Sequence, residues 1–212
     1  MDLRFKITEE RGLLIMKKQM IISVGREYGS YGHAIAERLA VIFDIPLYDN
    51  NLLCHIAEEK EMDHDSIKKF DGKPRNKFLH RKVSGYSSSP EENLAQMQFD
   101  YIRKMAEEGK SFVIVGRCAE TKLRDFPALI SIFILGRKEE KIKNVMKTLD
   151  LDEESAKQLM QREDWKKKTY HNYYCKGKWG DARNYDLTVD SGRLGVEGTV
   201  DFLADYIRRR MQ

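Results

Sequence analysis

No run in the sequence approaches the roughly 18 consecutive apolar residues of a membrane span, so no membrane partner is expected. Cysteine is scarce: Cys54, Cys118 and Cys175 are odd in number, far apart and form no CxxC pair. That spacing suggests neither a zinc site nor a disulfide framework, and a reduced compartment is the natural reading. No sign of charge dominates, because the net charge of +4 comes from charges mixed along the chain. A balance so mild suits an anionic small ligand and implies no nucleic-acid partner. The first residues carry Arg4, Lys6, Glu9, Glu10 and Arg11 and lack an apolar signal core, so a cytoplasmic location is expected.

What is present describes a globular chain. Its 212 residues, 41% hydrophobic and 34% charged, suffice for one sizeable core with inserted subdomains and are marginal for two domains. Residues 1–19 read as an extension, either a disordered leader (or over-extended reading frame) or a true N-terminal element. Residues 20–212 read as one domain. No internal repeat is visible.

Ile21–Val24, with Met20, has the apolar β-branched character of a buried strand. Ile35, Leu39 and Ile42 then follow at helical spacing, and Phe43–Tyr48 turns into a brief second strand. Helical spacing resumes from Asn50. Residues 60–92 are polar and broken by Asp71–Pro74 and Gly85–Pro90, which predicts a mobile insertion. The spacing of Met97, Tyr101 and Met105 predicts a helix over 94–106, capped by Gly109. Phe112–Val115 and Ala128–Leu135 predict a third and a fourth strand. A charged helical stretch over 139–161 breaks near Leu149–Asp152, where Asp152 is placed to cap a second piece. Asp186–Val189 reads as a last strand and Val196–Ile207 as a closing amphipathic helix. Alternating strands and helices predict a parallel sheet covered on both faces, with ligands beyond the carboxyl ends of the strands. Three of these strands end in Gly-Arg at that edge: Gly25-Arg26, Gly116-Arg117 and Gly136-Arg137.

The turn Gly25–Gly32 stands between a strand and a helix start. Such a turn makes an anion site from backbone N–H groups, with Gly25, Gly29 and Gly32 permitting the bend and Ser30-Tyr31 its tightest part. An ordinary flexible turn is the plain alternative. The helix opens Gly32-His33-Ala34, without the Lys and hydroxyl that close a Walker motif. Arg26 is a candidate for the missing charge and Ser30 for Mg²⁺. Gly109-Lys110-Ser111 spells a Walker ending but lies between a helix and a strand, and so reads as a helix cap.

Ser23–Ala40, Pro46–Asp49, Val113–Ala119 and Tyr173–Tyr185, taken in order, resemble the cytidylate kinase-like family. The resemblance implies an α/β, P-loop NTPase-like three-layer sandwich with a five-stranded parallel sheet in the order 2-3-1-4-5. It further implies a monophosphate-binding insertion at about 60–110, a lid at about 150–180, and phosphoryl transfer from ATP, with Mg²⁺, to cytidine monophosphate. Two departures stand out: the Walker lysine is absent, and Gly116-Arg117-Cys118 replaces Gly-Arg-Asp.

Arginine forks grip phosphate oxygens in pairs. Arg117 is therefore expected on the acceptor phosphate, with Arg137, Arg162 and Lys168 approaching from the lid; for each, a solvated surface charge is the alternative. Asp49 would hold the acceptor or a metal-bound water, or cap a turn. Asp164 would position Arg162 or a water. His33, at the helix start, lacks an evident carboxylate partner and reads as structural. Trp165, Tyr170, Tyr173, Tyr174 and Trp179 read as lid packing rather than base stacking. A non-catalytic nucleotide-binding regulator is the second functional reading, and kinase action on another small metabolite is a third. The oligomeric state leaves no trace in the sequence.

Overall fold

A computed structural model of the chain describes residues 18–49, 51–59, 71–72, 82–83, 86–87 and 89–212. The expected N-terminal extension, apart from residues 18 and 19, and most of the polar segment 60–92 lie outside the described residues.

Strand β1 (Ile21–Arg26) is the middle of a five-stranded parallel sheet. It pairs on one side with β3 (Phe112–Val115) and on the other with β4 (Leu129–Leu135). The short β2 (Leu47–Tyr48) adds to β3 and β5 (Leu187–Asp190) adds to β4, which gives the order 2-3-1-4-5. The near-continuous apolar runs of β1, β3 and β4 follow from burial on both faces. Alternate side chains serve opposite layers. Ile22, Val24, Val113 and Val115 meet helices α1 (Gly32–Phe43) and α7 (Ser191–Met211) through Ile35, Leu39, Leu203 and Ile207. Ile21, Phe112 and Ile114 meet α2 (Leu52–Glu59) and α3 (Pro90–Glu107) through Leu52, Ile56, Ile102 and Met105.

The short α4 (Ala119–Lys122) follows β3 directly. Helices α5 (Lys138–Leu149) and α6 (Glu153–Tyr174) pack on each other through Ile142, Val145, Ala156 and Met160. They are separated at Asp150, in the left-handed region, and Asp152 caps α6 by accepting from the Ser155 N–H at 2.9 Å. A small antiparallel hairpin joins Lys82–Val83 to Tyr86–Ser87.

Several boundaries differ from the sequence expectation: α3 starts at Pro90 under a Ser89 cap rather than at 94, α6 runs on to Tyr174 rather than 161, β4 and β5 each start one residue later, and two more differ for local reasons. Strand β1 runs past Val24 because Gly25 and Arg26 still pair with Phe133 and Ile134 of β4. Helix α7 begins at Ser191 under an Asp190 cap, then kinks at Gly195 (φ +67°), so the regular pattern starts only at Val196. Gly109 (φ +72°) ends α3 and the Ser111 hydroxyl accepts from the Met20 N–H, so the Walker-like Gly109–Ser111 is indeed a cap. Among the described residues no helix is long and apolar enough to cross a membrane.

Candidate active site

The turn leaving β1 is held at three points before it enters α1. The Glu27 N–H continues the sheet ladder to the Ile134 carbonyl (3.0 Å), and the Tyr28 N–H donates to Oδ1 of Asp164 on α6 (2.6 Å). The Ser30 hydroxyl donates to the carbonyls of Glu27 (2.9 Å) and Ile134 (3.2 Å), while its own carbonyl accepts from Ser191 Oγ (2.7 Å). The N–H groups of Gly29, Ser30 and Tyr31 meet no acceptor among the described residues. Together with the unsatisfied donors of the first turn of α1, they form the kind of donor set that binds anions. Gly29 sits at φ +81°, where a Cβ would lie 2.8 Å from the Lys141 carbonyl. A Cβ on Gly32 would collide with Cβ of Arg26, so this glycine lets the arginine cross the start of α1.

A cleft of about 740 Å³ opens over this turn, between the tips of β1, β2 and β3 and one face of α6. Four Lys and Arg side chains border it, of which Lys166 is exposed and paired with Glu163 at 2.7 Å. Arg26 makes no hydrogen bond or ion pair among the described residues; burial, and then the neighbouring Arg117, lower its pKa to about 10. Arg117 is buried and its fork is filled by Asp71 (Nη2 to Oδ2 2.9 Å), which also accepts from Gln98 (3.0 Å). Burial works to raise the Asp71 carboxyl, but Arg117 holds it below the usual carboxylate range. Lys167 on α6 is brought down to about 8 by burial and then by the charge of Arg26. Its ammonium lies 3.7 Å from Asp164 and 4.8 Å above the Tyr28 ring.

The turn bearing Arg117 is strained. Gly116, Arg117 and Cys118 have φ of +75°, +57° and +56°, and only the first is a glycine. Non-glycine residues held in that region cost of order 1 kcal/mol or more each and cluster at functional sites.

Of the residues singled out in the sequence, the nucleotide candidates Gly25, Arg26, Gly29, Tyr31, Gly32 and His33 border the cleft, as do Asp49 and Arg117. Four others do not. Ser30 is buried and does not line the cleft; its hydroxyl donates to backbone carbonyls. Arg137 leaves the sheet edge extended and half-exposed, with Nε 3.6 Å from Asp190. Arg162 is exposed beside Glu163, and Lys168 is exposed. Each of these two stands one position from a residue that does face the cleft, Glu163 and Lys167 respectively. One position on a helix is a rotation of about 100°.

Asp164 makes no contact with Arg162; it ties the turn to α6 and stands 3.6 Å from Lys141. His33 does have carboxylate partners, Glu37 at 3.3 Å and Asp49 at 3.5 Å, because β2 ends beside the start of α1. Asp49 both caps a turn, accepting from the Asn51 N–H (2.9 Å), and borders the cleft. The aromatic residues divide. Tyr170, Tyr173 and Tyr174 pack together with Phe99, Trp179 packs on Phe133, and Trp165 is exposed alone.

Sequence reasoning missed Lys167 and Asp71. The first was recoverable from the helical period that runs through Glu163, Lys167, Tyr170 and His171. It also missed a buried group in which His171 Nε2 lies 2.8 Å from Glu120 Oε1, next to Cys175. Burial opposes charge on His171, but hydrogen bonds to Cys175 and Glu120 raise its pKa to about 10.

The sequence pattern of the cytidylate kinase-like family matches residues 21–193. A solved structure of an uncharacterized protein from Eubacterium ventriosum is 40% identical, with a TM-score of 0.72, covering 90% of this chain and 99% of that one. Shikimate kinase from Bacteroides thetaiotaomicron is 10% identical (TM-score 0.53; 89% and 98% covered). A gluconokinase from Sinorhizobium meliloti is 12% identical (TM-score 0.51; 91% and 95% covered). These two share the fold. None of the curated proteins compared with the chain matches it.

Proposed function

Because the chain belongs to the cytidylate kinase-like family, we propose that it transfers a phosphoryl group from ATP to a nucleoside monophosphate, with cytidine monophosphate the first candidate acceptor. Family and fold support phosphoryl transfer in general; the acceptor is the further step. The observation that carries the reading is Arg26, a largely desolvated guanidinium that makes no direct ion pair among the described residues and feels Asp49 and Asp164 only at longer range, beside the free amides of the turn. A desolvated cation beside a second cation is costly until an anion arrives.

In this reading the donor phosphates lie on the turn and the start of α1. Transfer of the γ-phosphoryl forms a bond from an acceptor phosphate oxygen to phosphorus as the bond to the ADP oxygen breaks. Catalysis of that step is largely positioning and neutralisation of charge on the equatorial oxygens. Arg26 and Lys167 supply the neutralisation. Lys167 arrives from α6 and takes over from the lysine that the turn lacks. Residues 150–180 then act as the lid, whose aromatic side chains exclude water when closed. The insertion at 60–110 contributes Asp71, so Arg117 works as half of an ion pair rather than as an open fork. That pair, with Asp49 and His33, forms the acceptor side, where Asp71 restores a carboxylate missing at position 118. ATP brings Mg²⁺ on its own phosphates, since the turn offers the metal no hydroxyl.

A coupled ATP-consumption assay over a panel of monophosphates, extended to small hydroxylated metabolites, tests the proposal. Turnover dependent on cytidine monophosphate is expected. ATP binding without turnover on any acceptor would overturn it in favour of a nucleotide-binding regulator, a reading that the Asp164-capped amide of Tyr28 favours.

A further inference from the structure

The wall of the cleft away from the phosphate turn carries a second group of chemistry-bearing side chains: Cys118, Glu120 and His171 border the cleft there, with Cys175 behind them. At the junction of α4 with the end of α6, four donors come together from two short sequence pairs. Cys118 and Glu120 follow the strained turn, and His171 and Cys175 lie four residues apart at the end of α6. The ligand atoms of Glu120, His171 and Cys175 all lie within 4.8 Å of one another, and all three residues are buried. Cys118 is buried in the same small cluster as Cys175, which makes it the nearest further donor. Ala95, Phe99 and Tyr170 close an apolar wall around the two sulfurs.

Two further contacts have the form of an outer shell. His171 Nδ1 lies 3.4 Å from Asn172 Oδ1, which leaves Nε2 as the inward-facing nitrogen. Asn172 Oδ1 is fixed in turn by the Trp179 N–H at 2.8 Å. Glu120 Oε1 accepts from the Thr121 hydroxyl at 2.8 Å. A metal-bound histidine and carboxylate are commonly oriented by such partners.

We propose that Glu120, His171 and Cys175, completed by Cys118, form a structural zinc site that fastens the end of α6 to the turn carrying Arg117. Two sulfurs, one imidazole nitrogen and one carboxylate oxygen are a donor set that suits Zn²⁺. Ligand bonds of about 2.0–2.3 Å in a tetrahedron place donors roughly 3.3–3.8 Å apart. To reach that spacing the Glu120–His171 pair, now 2.8 Å apart, opens by about 0.5 Å, and the Cys175 sulfur, within 4.8 Å of both, moves in by about 1 Å. With four protein ligands the site is closed, and it is therefore structural rather than catalytic. Its role is to hold α6, and with it Lys167, in register with Arg117. The site is independent of the acceptor proposed above.

The test uses the full chain, stripped with a chelator, kept reduced and titrated with Co²⁺ as a spectroscopic probe. Expected are thiolate-to-cobalt charge-transfer absorption and tetrahedral d–d bands that saturate at one equivalent and are displaced by Zn²⁺. Cys175→Ser and Glu120→Gln should weaken Zn²⁺ binding by more than about 100-fold, beyond the 10–100-fold that loss of an outer-shell partner costs. Cys54→Ser should leave it unchanged. Cys118→Ser should lower the charge-transfer intensity by about half, because that band counts thiolates; this arm decides the matter if Cys175→Ser does not fold. Absence of cobalt bands in the reduced wild-type chain overturns the proposal. So does undiminished binding in Cys175→Ser, or an isolated Cys118–Cys175 disulfide whose reduction yields no metal uptake.

Discussion

In the proposed reading Arg26 and Lys167 divide the work that a single lysine does in the common phosphate turn, and each carries a distinct expectation. Arg26→Met removes a largely desolvated charge that forms no direct ion pair among the described residues and is only partly offset by Asp49 and Asp164. Phosphoryl transfer should fall about 100–1,000-fold in kcat/KM, the scale for losing a preorganised electrostatic contact. The melting temperature of the ligand-free protein should stay level or rise, because an only partly compensated charge leaves the interior. A coupled assay and a thermal melt on the same preparation check both halves.

Lys167 brings a pH dependence. Its ammonium titrates near 8 in the fold, below the ordinary 10.5. Between those values the unfolded chain still holds a proton that the folded chain has released. This group therefore adds stability as pH rises from about 8 toward 10.5, and below about 8 its charged form weighs fully on the fold. Nucleotide phosphates need that charge, so affinity should decline above about pH 8, by at most about tenfold per pH unit. The groups around it are Arg26 on β1, Asp164 and Glu163 on α6, and, across Asp164, Lys141 on α5. Calorimetric titration on either side of pH 8 checks the decline, which Lys167→Arg should abolish.

Helix α6 is hydrogen-bonded to the phosphate turn through the Asp164 carboxylate, beside the Lys167 contact on the Tyr28 ring. Asp164→Asn keeps the shape but weakens the bond from the Tyr28 N–H and strips Lys141 and Lys167 of a counter-charge. A loss of about 1–3 kcal/mol in urea unfolding is expected, the range for disturbing a charged, part-buried hydrogen bond. At this scale the sequence was legible where a single element decides the outcome. Phe112–Val115 was bounded as found, and the break at Leu149–Asp152 and the Gly109 cap followed from local chemistry. It misled where the answer depends on which way a helix is turned. Arg162 and Lys168 were chosen by residue type, whereas the docking of Ile142 and Val145 against Ala156 and Met160 sets which side of α6 meets the cleft.

The sheet order and the two covered faces were readable because alternating apolar strands and amphipathic helices permit few arrangements. The pairing of Asp71 with Arg117, of His33 with Asp49, and of Glu120 with His171 was not readable. Each joins segments that neither period nor motif connects, and only the assembled tertiary structure brings them together. For the molecule as a whole, ATP at about 100 times its dissociation constant should stabilise the fold by about 2.7 kcal/mol. Melting should then rise roughly 2–4 °C for each kcal/mol. The Arg26→Met protein should show little of that shift in a dye-monitored melt.

Strand β1 has a hydrogen-bonded neighbour on both sides, and Arg26 forms its last residue. The peptide groups that report on the deepest opening of the molecule are therefore covalently continuous with the phosphate contact. In deuterium-labelling mass spectrometry, nucleotide should slow labelling along Ile21–Val24, residues that do not border the cleft, as well as at Arg26. The two-residue rim strand at Leu47–Tyr48 should keep trading its protons at the pace of local fraying.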